Sequence, residues 1–203
     1  MIRAVLFDFG GVLSEAGGRG TVRNWLGKVY GLDLDLQKAE DVFYKMWRGQ
    51  ITNDVFLAEM SKRFPDTPVV TKADFLQQME DLYRCEPVYS LAGSLRRHGI
   101  TTGILSNVFG MGAAHLKAGG FYDDFDPVLL SSDTGLAKPD VAFYELALTK
   151  LGRKPEEVLF IDDQQYALDP AIAIGMHTVL AVSPQQIVDD TKAIIKAQNN
   201  LDL

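Results

Sequence analysis

The stretch Arg3-Ala4-Val5-Leu6-Phe7-Asp8-Phe9-Gly10-Gly11-Val12-Leu13 constrains this chain more than any other. Apolar residues run without a break into one carboxylate, and two glycines follow almost at once. A run of that length and composition is a strand buried on both faces, as in a parallel sheet covered by helices. Asp8 then falls at the strand's carboxyl end, where open α/β sheets keep their binding crevice. Gly10 and Gly11 permit a tight turn and a close approach to the backbone. An Asp at such a place is a nucleophile, a metal ligand, both, or a turn-forming or helix-capping residue. The Asp-Phe-Gly triplet also occurs in protein kinases, but here nothing upstream leaves room for a nucleotide lobe.

The remaining apolar runs extend this pattern. From Val88 onward, helices and strands alternate as in a parallel sheet. Expected strands are Thr101–Leu105 closed by Ser106-Asn107, Val128–Leu130, Val158–Ile161 ending in Asp162-Asp163, and Thr178–Val182. Expected helices end at His98-Gly99 and Gly119-Gly120, cover Val141–Leu151, run from about Pro170 to Gly175, and cover 185–198. The loop from Ser131 to Pro139 carries Lys138. Ser14 to Gly20 is expected as a loop of small residues. Between Thr21 and about Arg84 the spacing is helical and no strand is expected. Val22, Trp25, Leu26, Val29 and Tyr30 mark one helix, and Leu36, Ala39, Val42, Phe43, Met46 and Trp47 a second. Phe56, Leu57 and Met60 mark a third, and Phe75, Leu76, Met79, Leu82 and Tyr83 a fourth. The aromatic set Phe43, Trp47 and Phe56 reads as the core of that helical segment. The expected fold is therefore a Rossmann-like, doubly wound parallel α/β sheet, residues 1–15 and 88–203. A helical domain, 16–87, is inserted after the first strand.

Composition limits what such a fold can do. The 203 residues suffice for a core domain and a modest insertion. The net charge of −7 argues against a nucleic-acid binder. A single cysteine, Cys85, excludes an internal disulfide framework and fits a reducing, cytoplasmic compartment. No stretch reaches the roughly 20 apolar residues of a membrane span. The expected partner is a small molecule, with no nucleic acid and no membrane, and both a monomer and a homodimer stay open.

The strand ends converge on one chemistry. In a parallel sheet Asp8, Ser106-Asn107, Asp162-Asp163 and the loop bearing Lys138 all lie on one edge. Asp8, Asp162 and Asp163 form a cluster of hard oxygen ligands suited to Mg²⁺. Lys138, Ser106 and backbone amides near Gly10 would hold the oxygens of a transferring phosphoryl group. Taken singly, Ser106-Asn107 and Asp162-Asp163 are also ordinary helix caps, and Lys138 an ordinary surface lysine.

With these motifs in view, the chain resembles the haloacid dehalogenase-like hydrolase superfamily over nearly its whole length. FDFGGVL resembles the first motif, ILSN the second, SSDTGLAKPD the third and FIDD the fourth. The segment between the first two resembles the family's helical cap, and Arg48 to Phe56 (RGQITNDVF) a phrase common in those caps. The resemblance implies that Asp8 is a nucleophile forming an aspartyl-phosphate and also a Mg²⁺ ligand, with the Gly10 carbonyl as another. It implies that Asp163 binds the metal directly, and Asp162 directly or through water. Ser106 and Asn107 would hold the phosphoryl or carboxylate group, and Lys138 would neutralise Asp8 and the transferring group. Two positions depart from the pattern. Family phosphatases usually carry a second Asp, an acid–base, where this chain has Gly10, and often an Asn where it has Ala167. Members with Asp-x-Gly at the first motif resemble sugar phosphatases. The implied activity is a Mg²⁺-dependent phosphatase of a small phosphorylated metabolite, with sugar phosphates as candidates. A 2-haloacid dehalogenase and a catalytically weak binding or regulatory protein are the alternatives. Trp25, Trp47, Arg48 and the loop from Ser14 to Arg23 are the expected contacts to the leaving group.

Overall fold

The computed structural model describes residues 1–16, 22–30, 39–80 and 82–203. Its first strand, β1 (Ala4–Phe7), is buried along its whole length because both faces meet helices. Val5 and Phe7 join one apolar cluster, while Ala4 and Leu6 join the other. The continuous apolar run is thus two alternating faces, each with its own partner layer. β1 pairs in parallel with β4 (Thr101–Ser106) on one side and β6 (Val158–Asp162) on the other. β5 (Val128–Leu130) and β7 (His177–Leu180) complete the sheet in the order β5-β4-β1-β6-β7. The chain fills one side of β1 and then the other, the doubly wound arrangement expected from the sequence.

Helices cover both faces. α8 (Val141–Leu151) and α9 (Gln165–Ala173) bury Phe143, Tyr144, Ala147, Leu168 and Ala171 against Ala4, Leu6 and Phe160. On the other face, α5 (Glu86–Arg97) and α10 (Pro184–Asn199) contribute Val88, Leu91, Leu95, Ile187 and Ile195. α6 (Gly110–Ala118) follows β4, and a short helix α7 (Ser131–Thr134) follows β5, inside the segment expected to be all loop.

Between β1 and α5 the described residues form four helices: α1 (Val22–Val29), α2 (Glu40–Trp47), α3 (Asn53–Arg63) and α4 (Lys72–Glu80). Thr52 caps α3 by accepting the Val55 amide at 3.3 Å. Phe43 meets Phe56 with ring centroids 5.1 Å apart, and Trp47 at 5.7 Å, so this aromatic set is packed as expected. Arg48, just past α2, forms a bidentate ion pair with Asp140 at the start of α8, with contacts down to 2.6 Å. That fork ties the helical segment to the sheet. The expected loop residues 17–21 and the second helix's Leu36 lie outside the described residues.

Three expectations are corrected. Ser14–Ala16 and Leu82–Arg84 form strands, β2 and β3, paired antiparallel where only loop and helix were expected. Leu82 and Tyr83 continue the spacing of α4, yet backbone pairing with Ser14–Ala16 takes them; three residues are too few for alternation to register. α9 starts at Gln165 and carries Pro170 inside it, where Pro170 was expected near the start. Proline favours a first turn but does not forbid a later one that can lose one hydrogen bond. The last strand is His177–Leu180, shifted from the expected 178–182.

Strand β4 has one position where only glycine fits. A Cβ on Gly103 would lie 2.8 Å from the Pro127 carbonyl oxygen and 3.0 Å from the Leu6 side chain. Leu6 is buried in β1, and the Pro127 carbonyl already accepts the Ile104 amide at 2.8 Å. Gly103→Ala should lower stability by about 1–3 kcal/mol, read as a lowered urea midpoint; an unchanged midpoint would contradict this packing.

Candidate active site

Asp8 follows β1 directly, and its amide donates to the Ile161 carbonyl at 2.8 Å, so its backbone is still held by the sheet. Ser106 ends β4 and Asp162 ends β6, the strands flanking β1. The expected convergence on one sheet edge is therefore realised. The Lys138 side chain is 3% exposed, not the surface lysine it would ordinarily be. Its Nζ lies 2.5 Å from Asp162 Oδ2, as a hydrogen bond, and 2.8 Å from Asp8 Oδ1. The second contact is an ion pair without hydrogen-bond alignment.

The lysine is positioned by Asn107. Asn107 Oδ1 accepts the Lys138 amide at 2.8 Å, and Asn107 Nδ2 donates to the Lys138 carbonyl at 2.9 Å. This two-point clasp fixes the loop that delivers Nζ, a role that the motif alone did not reveal. Neither Ser106 nor Asn107 caps α6, whose N-cap is Phe109 with no side-chain cap bond.

One carboxylate oxygen each from Asp8, Asp162 and Asp163 lies within 4.8 Å of the others. Asp163 and Asp8 line the cavity, while Asp162 is fully buried behind them. Asp162 Oδ1 also accepts the Gln164 amide at 2.8 Å, and Asp163 Oδ2 accepts from Gln164 Nε2 at 2.8 Å. Gln164 was not singled out from the sequence, since a glutamine after two acids has no distinctive spacing. Gly11, with φ +76°, adopts a conformation that suits glycine, and a Cβ there would lie 2.8 Å from Asp163 Oδ2. The second glycine of the motif thus admits Asp163 to the site.

The electrostatics follow from this crowding. Burial opposes the Lys138 ammonium, but Asp162 and Asp8 outweigh it and carry the lysine above its ordinary value. Burial pushes the Asp162 carboxyl up to about 7, with Lys138 opposing and Asp8 adding to the rise. Burial and then the Asp8 charge also raise Asp163. Both partners of the Lys138–Asp162 pair shift upward because two anions face the lysine, whereas one cation works against the aspartate's burial and the charge of Asp8. Three ionised carboxylates against one ammonium leave two negative charges, which a single divalent cation would offset. The donor set fits Mg²⁺: hard carboxylate oxygens, with room on the cavity side for water and substrate.

These groups open into a cavity of about 830 Å³. Of the expected leaving-group contacts, Trp47, Ser14 and Glu15 line it. Trp25 packs on Phe75 and Arg48 is held by Asp140, and neither is on the cavity wall. Residues 17–21 of the expected contact loop lie outside the described residues. Cys85 also borders the cavity, and burial, then its hydrogen bond to Glu15, pushes its thiol up to about 11. It stays a neutral thiol there.

Known proteins resemble this chain in sequence and in fold. The chain is 30% identical over 209 residues to acyl-CoA dehydrogenase family member 10 of Mus musculus, covering 95% of this chain and 19% of the mouse protein. It thus matches only a small part of that much longer relative. It is 25% identical over 194 residues to the glyceraldehyde 3-phosphate phosphatase of Methanocaldococcus jannaschii, covering 88% of this chain and 84% of that one. Among solved structures, a HAD-family enzyme of Bacteroides thetaiotaomicron, in complex with magnesium and inorganic phosphate, superposes with a TM-score of 0.69. That similarity comes at 20% identity and covers 88% of this chain and 93% of the other. The sequence model of the haloacid dehalogenase-like hydrolases matches residues 2–175, most of the chain and all of the site just described. This protein belongs to the haloacid dehalogenase-like hydrolase family.

Proposed function

We infer that the protein is a Mg²⁺-dependent phosphatase of a small phosphate monoester. The observation that carries this reading is the buried Lys138 ammonium between Asp8 and Asp162, with Asp163 beside them. A site for attack at carbon needs one carboxylate and no metal, and would leave the Asp162-Asp163 pair beside Asp8 without a role. Three clustered carboxylates are costly unless a cation joins them. Similarity to a phosphatase and to a fold solved with magnesium and phosphate supports the same reading.

Asp8, Asp162, Asp163 and the Gly10 carbonyl would hold Mg²⁺, which would supply charge stabilisation for the phosphoryl oxygens. In the first step an Asp8 oxygen forms a bond to phosphorus as the bond from phosphorus to the leaving alkoxide breaks. Lys138 balances the charge of Asp8 and of the transferring group, and the Ser106 hydroxyl donates to a phosphoryl oxygen. Asn107 keeps Lys138 in register and offers its remaining amide hydrogen. The departing oxygen takes its proton from water, because Gly10 has no side chain to give one. Water then attacks the acyl-phosphate and releases inorganic phosphate, restoring Asp8. The helices α1–α4 act as a cap that closes over the leaving group.

A 2-haloacid dehalogenase is the second reading, favoured by the open space beside Gly10, where a Cβ would meet nothing within 4 Å. Attack at carbon releases halide and needs no proton donor.

Removing Mg²⁺ with a chelator should abolish phosphate release, and restoring Mg²⁺ should recover it. Chelator-insensitive halide release from 2-haloacids would decide for the dehalogenase. Asp8→Asn should reduce phosphate release by at least about 10³-fold, since an amide forms no acyl-phosphate; turnover near wild type would exclude the covalent route. Gly10→Asp has room for its Cβ, and should raise hydrolysis of esters with poor leaving groups by about tenfold or more. A flat or lower rate would mean that proton delivery does not limit this enzyme.

A further inference from the structure

The phosphoryl end of the cavity is polar, and the rest of its wall is mostly apolar, with Ser14, Glu15, Tyr166 and Ser183 as polar members. Phe43 and Trp47 of α2, Met79 of α4, Leu82 of β3, and Val108 and Phe109 ahead of α6 border the same cavity as Asp8 and Lys138. The volume of about 830 Å³ lies toward the upper end of the roughly 300–1,000 Å³ usual for small-molecule sites, more than a phosphoryl group fills. Apart from the Trp47 indole N–H, these rings, the thioether and the aliphatic groups offer no strong hydrogen-bonding group. A polyhydroxylated leaving group would give up water there and find few partners.

Charge narrows the choice further. Among the described residues on the cavity wall, Lys138 is the one cation, and it already faces Asp8 and Asp162. A second phosphate or a carboxylate on the leaving group would find no further counter-charge among the described wall residues and would share the cavity with Glu15. Resting on the phosphatase reading, we propose that the substrate is the phosphate monoester of an uncharged, apolar alcohol. Its hydrocarbon part lies against Phe43, Trp47, Met79 and Val108. The products are the free alcohol and inorganic phosphate, with water supplying both the new P–O bond and the alcohol's proton. Sugar phosphates, the candidates named from the first motif, fit this wall poorly.

The test is phosphate release with Mg²⁺ from butyl, hexyl, octyl and decyl phosphate, each below its aggregation concentration. Glucose 1-phosphate, an octyl phosphate bearing a terminal carboxylate, acetyl phosphate and p-nitrophenyl phosphate run beside them. kcat/KM should rise by up to about fourfold per added methylene until the cavity is full. The carboxylated chain should fall at least about tenfold below its uncharged match. A flat alkyl series, or a preference for the sugar or the carboxylated chain, would overturn the proposal and leave the phosphatase standing. Phosphate release from none of these compounds would overturn the phosphatase reading and the proposal with it. Trp47→Asp, at a half-buried wall position, should flatten the series; a slope as steep as wild type would put the hydrocarbon elsewhere and overturn the assignment.

Discussion

The buried ammonium of Lys138 is the interaction on which the site depends. Taking a charge out of water costs several kcal/mol per ion, even after the protein relaxes around it. That cost is offset only if opposite charges meet it at close range and in a fixed direction. Here Asp162 and Asp8 do so at 2.5 and 2.8 Å. They can because β1 and β6 are hydrogen-bonded neighbours whose ends are in register, Phe7 opposite Ile161. The lysine comes from a third segment, so its backbone needs separate fixing, which the two hydrogen bonds of Asn107 supply. Sheet pairing sets the carboxylates, an amide clasp sets the cation, and the ion pair joins the two. The parts are interdependent: moving one leaves a buried charge unpaired.

This dependence explains which parts could be read in advance. A strand buried on both faces leaves a continuous apolar run in the sequence, and its polar end marks where the sheet stops. Asp8, Ser106, Asp162 and Asp163 were legible for that reason, Lys138 was legible on the loop fed by a further strand, and the family motifs added the roles expected of them. The clasp of Asn107 and the Gln164 bonds to both acids were not legible, because they join residues by geometry and carry no periodic signature. β2 and β3 escaped because three residues do not establish alternation, and Leu82-Tyr83 fitted the spacing of α4. Helical spacing in α1–α4 identified apolar faces but not which of them turn to the cavity. Phe43 shows the ambiguity: it is packed on Phe56 and also borders the cavity. Trp25, an equally reasonable contact by sequence, packs on Phe75.

The absence of a side chain at Gly10 also bears on substrate choice. A phosphatase without a positioned acid must let the leaving oxygen find its proton elsewhere, and the rate then depends on the leaving group and on how it is held. Binding energy from parts of a substrate remote from the reacting bond can be expressed as rate rather than as affinity. A large apolar wall is a source of such energy, since hydrocarbon buried there is favoured without any directional contact. On the proposed reading, Trp47, Phe43 and Met79 would have a catalytic consequence despite having no chemistry of their own: they would hold the scissile bond against Asp8.

The two ends of the cavity come from different parts of the chain, and this separates chemistry from selection. The phosphoryl end is built from β1, β4, β6 and the Lys138 loop, all parts of the sheet core whose packing leaves little freedom. Gly103 and Gly11, each with another group within 3 Å of where a Cβ would stand, mark how tightly that core is set. The apolar end takes Phe43, Trp47, Met79 and Leu82 from α2, α4 and β3 and further residues such as Val108, Phe109 and Ile187 from the core, and the inserted part is joined to the core by the Arg48–Asp140 fork, the β2–β3 pairing and packing of α4 on α6. Substitutions along that wall can reshape the space for the alcohol without disturbing the charges around Lys138. On the phosphatase reading, the inserted helices would share in setting specificity, and the sheet edge would supply the phosphoryl chemistry to whatever they admit.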